Sequence, residues 1–171
     1  MKLLRNKKGF TLVEMILYVA ICSLFLLTLS TFMTFLLGAR IRSQSIAEVN
    51  QQGFQVMHLM TSTLRNGRSV ETPPIGNSSS TLSVTTGVGI YDPTIFQVSS
   101  GTLFVQEGPN TPIALTNSRV SIGGVLFENV SSSSSLEKII RITFTVDSKN
   151  IGGRSEYTYT KTFTGSATLR Q

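Results

Sequence analysis

The side chains that most often carry out chemistry in proteins are scarce in this sequence and lie far apart. It has one histidine, His58, and one cysteine, Cys22, so it can form neither an intrachain disulfide nor a zinc site built from several cysteines. Its nine acidic residues are scattered, and none belongs to an acidic loop of the kind that holds calcium. The sequence therefore predicts no metal, no cofactor and no enzymatic activity.

Glu14 differs from the other acidic residues because a long uncharged stretch, residues 15–39, follows it directly. A carboxylate in a membrane span costs about 2.5–3.5 kcal/mol at the bilayer centre and less near the interface, so it normally has a partner. The simpler alternative is that Glu14 marks the start of a helix, where the helix dipole favours an anion. Both interpretations place Glu14 at the beginning of an apolar helix.

Residues 15–39 are long enough to cross a bilayer as one helix. A hydrocarbon core of about 30 Å takes about 20 apolar residues at about 1.5 Å each. Apolar residues lie on every side of the helix, and only small hydroxyl side chains interrupt them. More basic residues precede the span than follow it, which predicts a cytoplasmic N-terminus and an outward-facing remainder. Those basic residues are Lys2, Arg5, Lys7 and Lys8 before the span, and Arg40 and Arg42 after it.

The same basic residues account for most of the net charge of +6. Four of the 15 basic residues and none of the 9 acidic ones lie in residues 1–9, so residues 10–171 carry 11 basic and 9 acidic side chains. Charged residues make up only 14% of the chain, which excludes a highly charged disordered protein. Nucleic acid is a weakly supported partner, and the candidate contacts for an anionic partner are Arg40, Arg42, Arg65 and Arg68.

A secretory signal peptide would also join a basic stretch to an apolar one. The apolar run here is longer than the roughly 7–15 residues typical of such a peptide, and no small-x-small cleavage site closes it before Arg40. The acidic residue Glu14, near the start of the apolar run, is a further difference from a signal peptide. These features favour a retained membrane anchor.

Residues 7–14, Lys-Lys-Gly-Phe-Thr-Leu-Val-Glu, resemble the prepilin signature of the type IV pilin and type II secretion pseudopilin superfamily. In that family a membrane peptidase cuts after the glycine, and the new N-terminal phenylalanine is usually methylated on its nitrogen. The resemblance implies that Gly9 ends the leader, that Phe10 is the methylated mature N-terminus and that Glu14 registers subunits in the filament. It covers residues 1–39, and beyond them it implies only a long helix capped by a β-rich head.

The resemblance also suggests a partner for Glu14. Cleavage after Gly9 would leave a positively charged amine on Phe10 in the same membrane environment, where an unpaired charge is costly. The hypothesis is that Glu14 of an incoming subunit pairs with the Phe10 amine of a neighbour and so sets the register of the filament.

Residues 40–66 continue the helix as an amphipathic stem. Their apolar residues follow a helical spacing, and Asn66 with Gly67 supplies a stop, so we predict one helix from Phe10 to Asn66 with one face packed on a sheet. His58 lies beside this apolar stripe and is expected to be solvated or hydrogen-bonded and not catalytic. The stripe consists of Ile46, Val49, Val56, Met57, Met60 and Leu64, with Gly53 filling one position and offering a bend site.

Residues 67–171 change to a period of two and predict an antiparallel β domain. The last two predicted strands should form a hairpin, because a turn with Gly152 and Gly153 separates them. Gly123 and Gly124 are either a tight turn or a bulge within one strand. The serine-rich segments 78–80 and 131–135 are predicted loops. The predicted strands are 81–86, 94–99, 102–106, 113–116, 119–130, 138–147 and 156–164.

We therefore predict an α+β, pilin-like protein with four parts: leader 1–9, transmembrane and assembly helix 10–39, stem helix 40–66 and extracytoplasmic head 67–171. Its expected partners are other pilins or pseudopilins, a prepilin peptidase, a pilus assembly platform and the cytoplasmic membrane. The resemblance implies a Gly or Pro partway along the membrane helix of many major pilins. Because none occurs from Phe10 to Leu37, the resemblance favours a minor subunit of a type IV pilus over a major one. The alternatives are a pseudopilin of a secretion system and a pilus-tip module for DNA uptake or adhesion.

Overall fold

The computed structural model describes residues 9–132, 138–150, 153 and 157–169. The leader residues before Gly9, most of the serine run 131–135 and Gly152 of the predicted hairpin turn lie outside the described residues. The chain divides into two compact units, Met1–Arg40 and Ile41–Gln171. One helix, α1 (Leu12–Asn66), begins in the first unit and ends in the second. The prediction of a single helix is confirmed, although it starts at Leu12 and not at Phe10.

The described strands form two antiparallel sheets, as the α+β prediction requires. Sheet A has the order β1-β3-β4-β5-β6, and sheet B has the order β2-β7-β8-β9. The strands of sheet A are β1 (Ser69–Thr72), β3 (Leu82–Thr85), β4 (Thr94–Ser99), β5 (Thr102–Glu107) and β6 (Ile113–Ala114). Those of sheet B are β2 (Ser78–Ser79), β7 (Val120–Asn129), β8 (Ile139–Ser148) and β9 (Thr160–Thr168). A short 3-10 helix, Gly89–Tyr91, precedes β4.

One apolar core joins the second part of α1 to both sheets. Most of the sequence stripe is confirmed, because the buried helix residues recur every three or four positions, as one face of a helix requires; Met57 is partly buried against the same core, whereas Ile46 is half-buried and outside it. Strand β8 contributes by strict alternation, with even-numbered residues 140–146 buried and the residues between them on the opposite face. The buried helix residues are Val49, Gly53, Val56, Met60 and Leu64.

Gly53 is a packing site. Phe163 of β9 is 6% exposed, and a Cβ atom at Gly53 would lie 2.1 Å from its Cζ atom. The same ring stacks on Phe144 of β8, with centroids 5.4 Å apart and an interplanar angle of 15°. The helix runs through Gly53 without interruption. The missing side chain therefore lets α1 and sheet B approach closely.

Polar contacts also hold the stem part of α1 against the head. Glu48 forms an ion pair with Arg119 at 3.6 Å, and it also accepts a hydrogen bond from Asn117. Lys161 of β9 donates to Oδ1 of Asn50 at 2.6 Å. Glu48 and Asn50 lie on either side of Val49, so these pairs add polar contacts beside the apolar stripe.

Two details of the β domain are now determined. Gly123 and Gly124 form a bulge within β7, where the pairing with β8 shifts register between Gly123 and Leu126. A two-residue turn connects β4 to β5, and both of its residues, Ser100 (φ 51°) and Gly101 (φ 74°), have positive φ, as a tight hairpin turn requires.

The strand predictions were wrong in three places. Strands β1 and β2 were missed, and β2 lies in the serine segment 78–80 that was predicted as a loop. The predicted strand 113–116 is shorter, because only Ile113–Ala114 pairs with β5. The predicted strand 156–164 lies instead at Thr160–Thr168, although its antiparallel pairing with β8 is confirmed.

The shift of β9 has a physical reason in the length of its partner. Its residues pair one by one with β8, from Ile139 opposite Thr168 to Asp147 opposite Thr160. Beyond that, Ser148 bonds the chain before β9, accepting from the backbone N–H of Tyr159 at 2.9 Å. The alternating aromatic residues predicted a strand from residue 156, but the extent of the partner strand β8 determines which residues of β9 are paired.

Asp92 fastens the loop that precedes β4. It accepts hydrogen bonds from the hydroxyl and the N–H of Thr86, both at 2.7 Å, and from the N–H of Gly87 at 2.6 Å. The bond from the Thr86 hydroxyl, followed by that from its N–H, lowers the pKa of the Asp92 carboxyl below the ordinary 3.8. Three donors directed at one carboxylate favour its charged form.

We expect Gly53→Ala to destabilise the head. The new methyl group would displace the buried Phe163 ring, and overpacking of this kind typically costs about 1–3 kcal/mol, against a gain of up to about 1 kcal/mol in helix propensity. Thermal unfolding of the full chain in detergent should show a lower midpoint for Gly53→Ala and almost no change for the exposed control Gln55→Ala. Adding Phe163→Leu should recover part of the loss. A midpoint equal to that of the wild type would contradict the close packing.

We expect Asp92→Asn to lower stability at neutral pH, because the amide would direct an NH2 group at one of the N–H donors. A carboxyl whose folded pKa is depressed adds stability above its unfolded pKa, and that stability is lost as the pH falls through the folded pKa. The difference in unfolding midpoint between wild type and Asp92→Asn should therefore be full at pH 7 and shrink below about pH 3.8. Glu107→Gln, at an exposed strand end, is the matched control. A pH-independent difference would refute the role of the charge.

Candidate functional site

The site is the start of α1, where Thr11 and Glu14 bond each other's backbone. Thr11 is the N-cap, and its carbonyl accepts the first helical hydrogen bond from the N–H of Met15 at 3.2 Å. Its hydroxyl accepts from the N–H of Glu14 at 3.3 Å, while Oε2 of Glu14 accepts from the N–H of Thr11 at 3.4 Å. This reciprocal arrangement is a capping box, and it satisfies two N–H groups that a helix start leaves unpaired.

An anion at the helix start is the predicted role of Glu14, but the part played by Thr11 is an addition from the structure. The signal was present, because a threonine followed three residues later by a glutamate, just before an apolar run, is the sequence pattern of a capping box. The capping also explains why α1 begins at Leu12, since an N-cap residue lies outside the helix.

Only one oxygen of Glu14 takes part in this cap. Among the described residues, Oε1 of Glu14 has no hydrogen-bond partner and no basic side chain forms an ion pair with the carboxylate. The cap therefore leaves a negative charge and one free oxygen at the start of the apolar helix.

Gly9 and Phe10, the residues of the predicted cleavage, are both exposed. A Cβ atom added at Gly9 would meet nothing within 4 Å, so within the described residues no neighbour requires a glycine there. The Phe10 ring lies edge-on to Tyr18, with centroids 6.1 Å apart. Thr11 and Glu14 both follow the predicted cut, so the capping box would remain in a chain that begins at Phe10.

Four hydroxyl side chains in the apolar part of α1 bond to the backbone of the same helix. Four hydroxyl groups donate to backbone carbonyls three or four residues earlier, at 2.8–3.0 Å. In a membrane an unsatisfied polar group costs several kcal/mol, so this self-bonding makes the segment compatible with lipid. By length and composition α1 is a candidate membrane span, with a mean hydropathy of 2.4 in its most apolar window. The residues that bond in this way are Ser23, Thr28, Thr31 and Thr34.

The four arginines proposed for an anionic partner do not form one patch. Arg42 and Arg65 belong to the same helix and lie 23 residues apart, about 35 Å at about 1.5 Å per residue. Arg65 is in the last turn, where a cation complements the helix dipole. The Arg68 side chain packs beside Gly87, where an added Cβ atom would lie 2.5 Å from its Nε atom. Arg40 is the last residue of the other compact unit and lies two residues before Arg42 on the same helix.

The remaining polar candidates stay apart. Among the described residues, no three His, Cys, Asp or Glu side chains come close enough to hold a metal ion. His58 and Cys22 are both exposed. The expectation that the protein uses no metal and no cofactor remains a prediction.

Comparison with known protein families identifies the N-terminal segment. A family model of the prokaryotic N-terminal methylation motif matches residues 4–30. This motif is the prepilin-type signature of type IV pilins and pseudopilins, so the resemblance of residues 7–14 is confirmed and the chain is pilin- or pseudopilin-like. The signature implies processing by a prepilin peptidase and assembly with other pilins. No curated protein and no solved structure matches the chain.

We expect Thr11→Ala to fray the first turn of α1, because it removes the acceptor for the Glu14 N–H. Loss of an N-cap typically costs about 1 kcal/mol, which corresponds to about fivefold faster hydrogen exchange at the Glu14 amide. Exchange measured by NMR on the chain in detergent micelles tests this. Thr11→Ser keeps the hydroxyl and should exchange like the wild type. Equal exchange rates in all three proteins would rule out the capping box.

Proposed function

We propose that the chain is a minor pilin-type structural subunit. In this proposal a prepilin peptidase removes residues 1–9 and Phe10 is methylated on its new amine. The mature chain waits in the cytoplasmic membrane, N-terminus inside and head outside, until an assembly platform adds it to a type IV pilus-type filament. The observation that carries the proposal is the methylation motif at residues 4–30, immediately before and within a candidate membrane span.

The surroundings of Gly9 support cleavage at this position. Among the described residues no neighbour requires a glycine at Gly9, since there is room for a larger side chain. Its occurrence is then better explained by a binding partner that needs a small residue there, such as a peptidase. Gly9 and Phe10 are exposed, so an enzyme can reach the peptide bond between them.

Two features support a minor position in the filament. From Phe10 to Leu37 there is no Gly or Pro, and α1 is continuous from Leu12 to Asn66. Glycine and proline are the residues that most weaken a helix interior. A subunit without them resists the local unwinding that a tightly packed shaft of many copies would need, which suits a subunit present in few copies.

The proposal gives the protein an assembly function without catalysis. The motif is shared by pilins and pseudopilins, so a secretion filament is the second assignment within the same structural class. A DNA-binding tip module is less well supported, because Arg42 and Arg65 lie about 35 Å apart along the helix. Phosphate binding requires positive charges that act on the same short stretch of backbone.

We expect the negative charge of Glu14, and not its cap, to be needed for assembly. Glu14→Gln keeps a side-chain oxygen for the capping box but removes the charge, whereas Thr11→Ala weakens the cap and keeps the charge. Recovery of each variant in sheared fibres from the producing cells should fall about tenfold or more for Glu14→Gln, the factor for a loss of ~1.4 kcal/mol, and little for Thr11→Ala. Glu14→Ala should match Glu14→Gln.

Intact-mass spectrometry of the same samples is the control for processing. All variants should begin at Phe10 and carry a methyl group. A chain that still begins at Met1 in cells with an active prepilin peptidase would contradict the proposed processing. Normal fibre incorporation of Glu14→Gln would instead contradict only the charge-pairing role of Glu14.

A further inference from the structure

The contacts of sheet B with the stem helix show which way its strands run. Lys161, near the start of β9, donates to Oδ1 of Asn50 at 2.6 Å, and a Cβ atom at Gly165 would lie 2.8 Å from the Sδ atom of Met57. Strand β9 therefore runs in the same direction as α1. Strand β8 is antiparallel to β9, so it runs toward the N-terminal end of the stem helix and ends there at Ser148.

Three basic residues meet at this end of the head. The backbone N–H of Lys149 donates to the carbonyl of Arg119 at 2.7 Å, and the Arg119 side chain lies 3.6 Å from the carboxylate of Glu48 on α1. Arg42 precedes Glu48 on the same helix by six residues, which is about 9 Å along the axis at about 1.5 Å per residue. We call Arg42, Arg119 and Lys149 the basal cluster.

The charges of the basal cluster are available to a partner. All three residues are exposed, and within the described part of the chain neither Arg42 nor Lys149 forms an ion pair. Arg119 is paired with Glu48, but its side chain is 77% exposed and contacts the carboxylate through one nitrogen atom. A guanidinium group carries five N–H donors, so the pair leaves donors free for a second anion.

The acidic residues near the basal cluster are set back from the end of the head. Glu48 follows Arg42 along α1, and Asp147 comes before Lys149 along the direction in which β8 approaches this end. Glu48 is already engaged by two partners, and Asp147 accepts a hydrogen bond from the hydroxyl of Thr160 at 2.6 Å. The outermost charges of this end, among the described residues, are therefore positive.

The position of the basal cluster matches the surface of a membrane. Arg42 lies three residues after the uncharged stretch 15–39 ends. Given the membrane anchor of the proposed function, Arg42 then lies in the polar layer of the bilayer, which is about 5–7 Å thick on each side of the hydrocarbon core. The Arg119 pair with Glu48 is about 9 Å further along the helix. This is about one Debye length at moderate salt, so the lipid charges still act on it.

We propose that the basal cluster binds the phosphate groups of anionic phospholipids on the outer surface of the cytoplasmic membrane. The proposal rests on the proposed function, because it needs an anchored chain with its head outside. Arg42 contributes from the helix, while Arg119 and Lys149 contribute from the head, so binding holds the base of the head on the lipid surface. The contact belongs to the subunit that waits in the membrane and is broken when the subunit is drawn into the filament.

A lipid surface fits the basal cluster better than nucleic acid does. The anchor keeps the cluster beside the headgroups, so a contact that is weak in solution is sufficient there. Free DNA would have to be held by three positive charges alone, and such binding weakens steeply with salt. Tyr157 adds a half-buried ring at the same end, because its carbonyl accepts from the Ser148 hydroxyl, and tyrosine is enriched at membrane interfaces.

NMR of the full chain in lipid nanodiscs tests this contact. Lipids with a paramagnetic chelate on the headgroup broaden amide signals close to the membrane, so the broadening at Lys149 gives the ratio of docked to released heads. In an equimolar mixture of phosphatidylglycerol and phosphatidylcholine this ratio should be high, and in phosphatidylcholine alone it should be low. Arg119→Gln combined with Lys149→Gln should lower it in the anionic nanodiscs by about fivefold per charge, about 25-fold in all.

The matched control removes two positive charges from the other end of the same strand. Lys138→Gln combined with Arg141→Gln changes the net charge equally and also breaks an exposed ion pair, that of Arg141 with Glu128 at 3.3 Å. This variant should keep the ratio of the wild type. Raising the salt to about 1 M shortens the Debye length to about 3 Å and should release the wild-type head.

Four results would overturn the proposal. An inserted chain with the same ratio in both kinds of nanodisc would overturn the lipid contact alone, as would an equal loss in the Lys138 and Arg141 variant. A short DNA duplex that binds the chain in phosphatidylcholine nanodiscs, and no longer binds after Arg119→Gln with Lys149→Gln, would assign the cluster to nucleic acid instead. Failure of the chain to enter nanodiscs at all would contradict the membrane anchor of the proposed function, and the lipid contact with it.

Discussion

Burial of one stripe on the second half of α1 is the constraint on which the head depends. Val49, Val56, Met60 and Leu64 are at most 1% exposed and belong to the same apolar cluster as the inner faces of both sheets. Because side chains alternate along a strand, this contact decides which residues of each strand face inward. In β9 it selects Phe163 and its odd-numbered neighbours, and so leaves the threonine row and the free backbone groups of that strand on the outside.

The first half of α1 meets a different requirement, since none of the helix residues from Leu12 to Glu48 is buried. Four hydroxyl groups in this half donate to carbonyls of the same helix, which lowers the cost of placing them in lipid, and the capping box pairs two N–H groups at the helix start. Glu14 can therefore serve two purposes at once. Its Oε2 atom caps the helix, while its charge and its other oxygen remain for a partner. The helix-start and assembly interpretations of this residue are compatible.

The spacing of apolar residues predicted those elements whose own sequences follow a clear helical or strand period. The helix, its buried face and the alternation of β8 follow from residue spacing alone. The elements that sequence reasoning missed depend on their partners: Ser78–Ser79 is a strand because β7 lies beside it, and Gly165 to Thr168 extend β9 because β8 continues opposite them. The capping role of Thr11 could have been predicted, because its pattern with Glu14 is local in the sequence. The choice between a turn and a bulge at Gly124 could not, because it depends on the register of β7 against β8.

The low charge of the chain limits how its strand edges can be protected against pairing with other strands. Charged side chains, lysine above all, are a common guard of strand edges, but only 14% of residues here are charged, and residues 10–171 have a balance of 11 basic to 9 acidic. Threonine and serine line the outer face of β9, where the threonines favour extended structure and both keep the surface polar, whereas the neighbouring strands β7 and β8 carry Glu128, Arg141 and Asp147 on that face. Hydroxyl groups do not repel one another, so they give no protection against a matching strand. Shortness protects β2 and β6, and an irregularity and Pro73 limit β1.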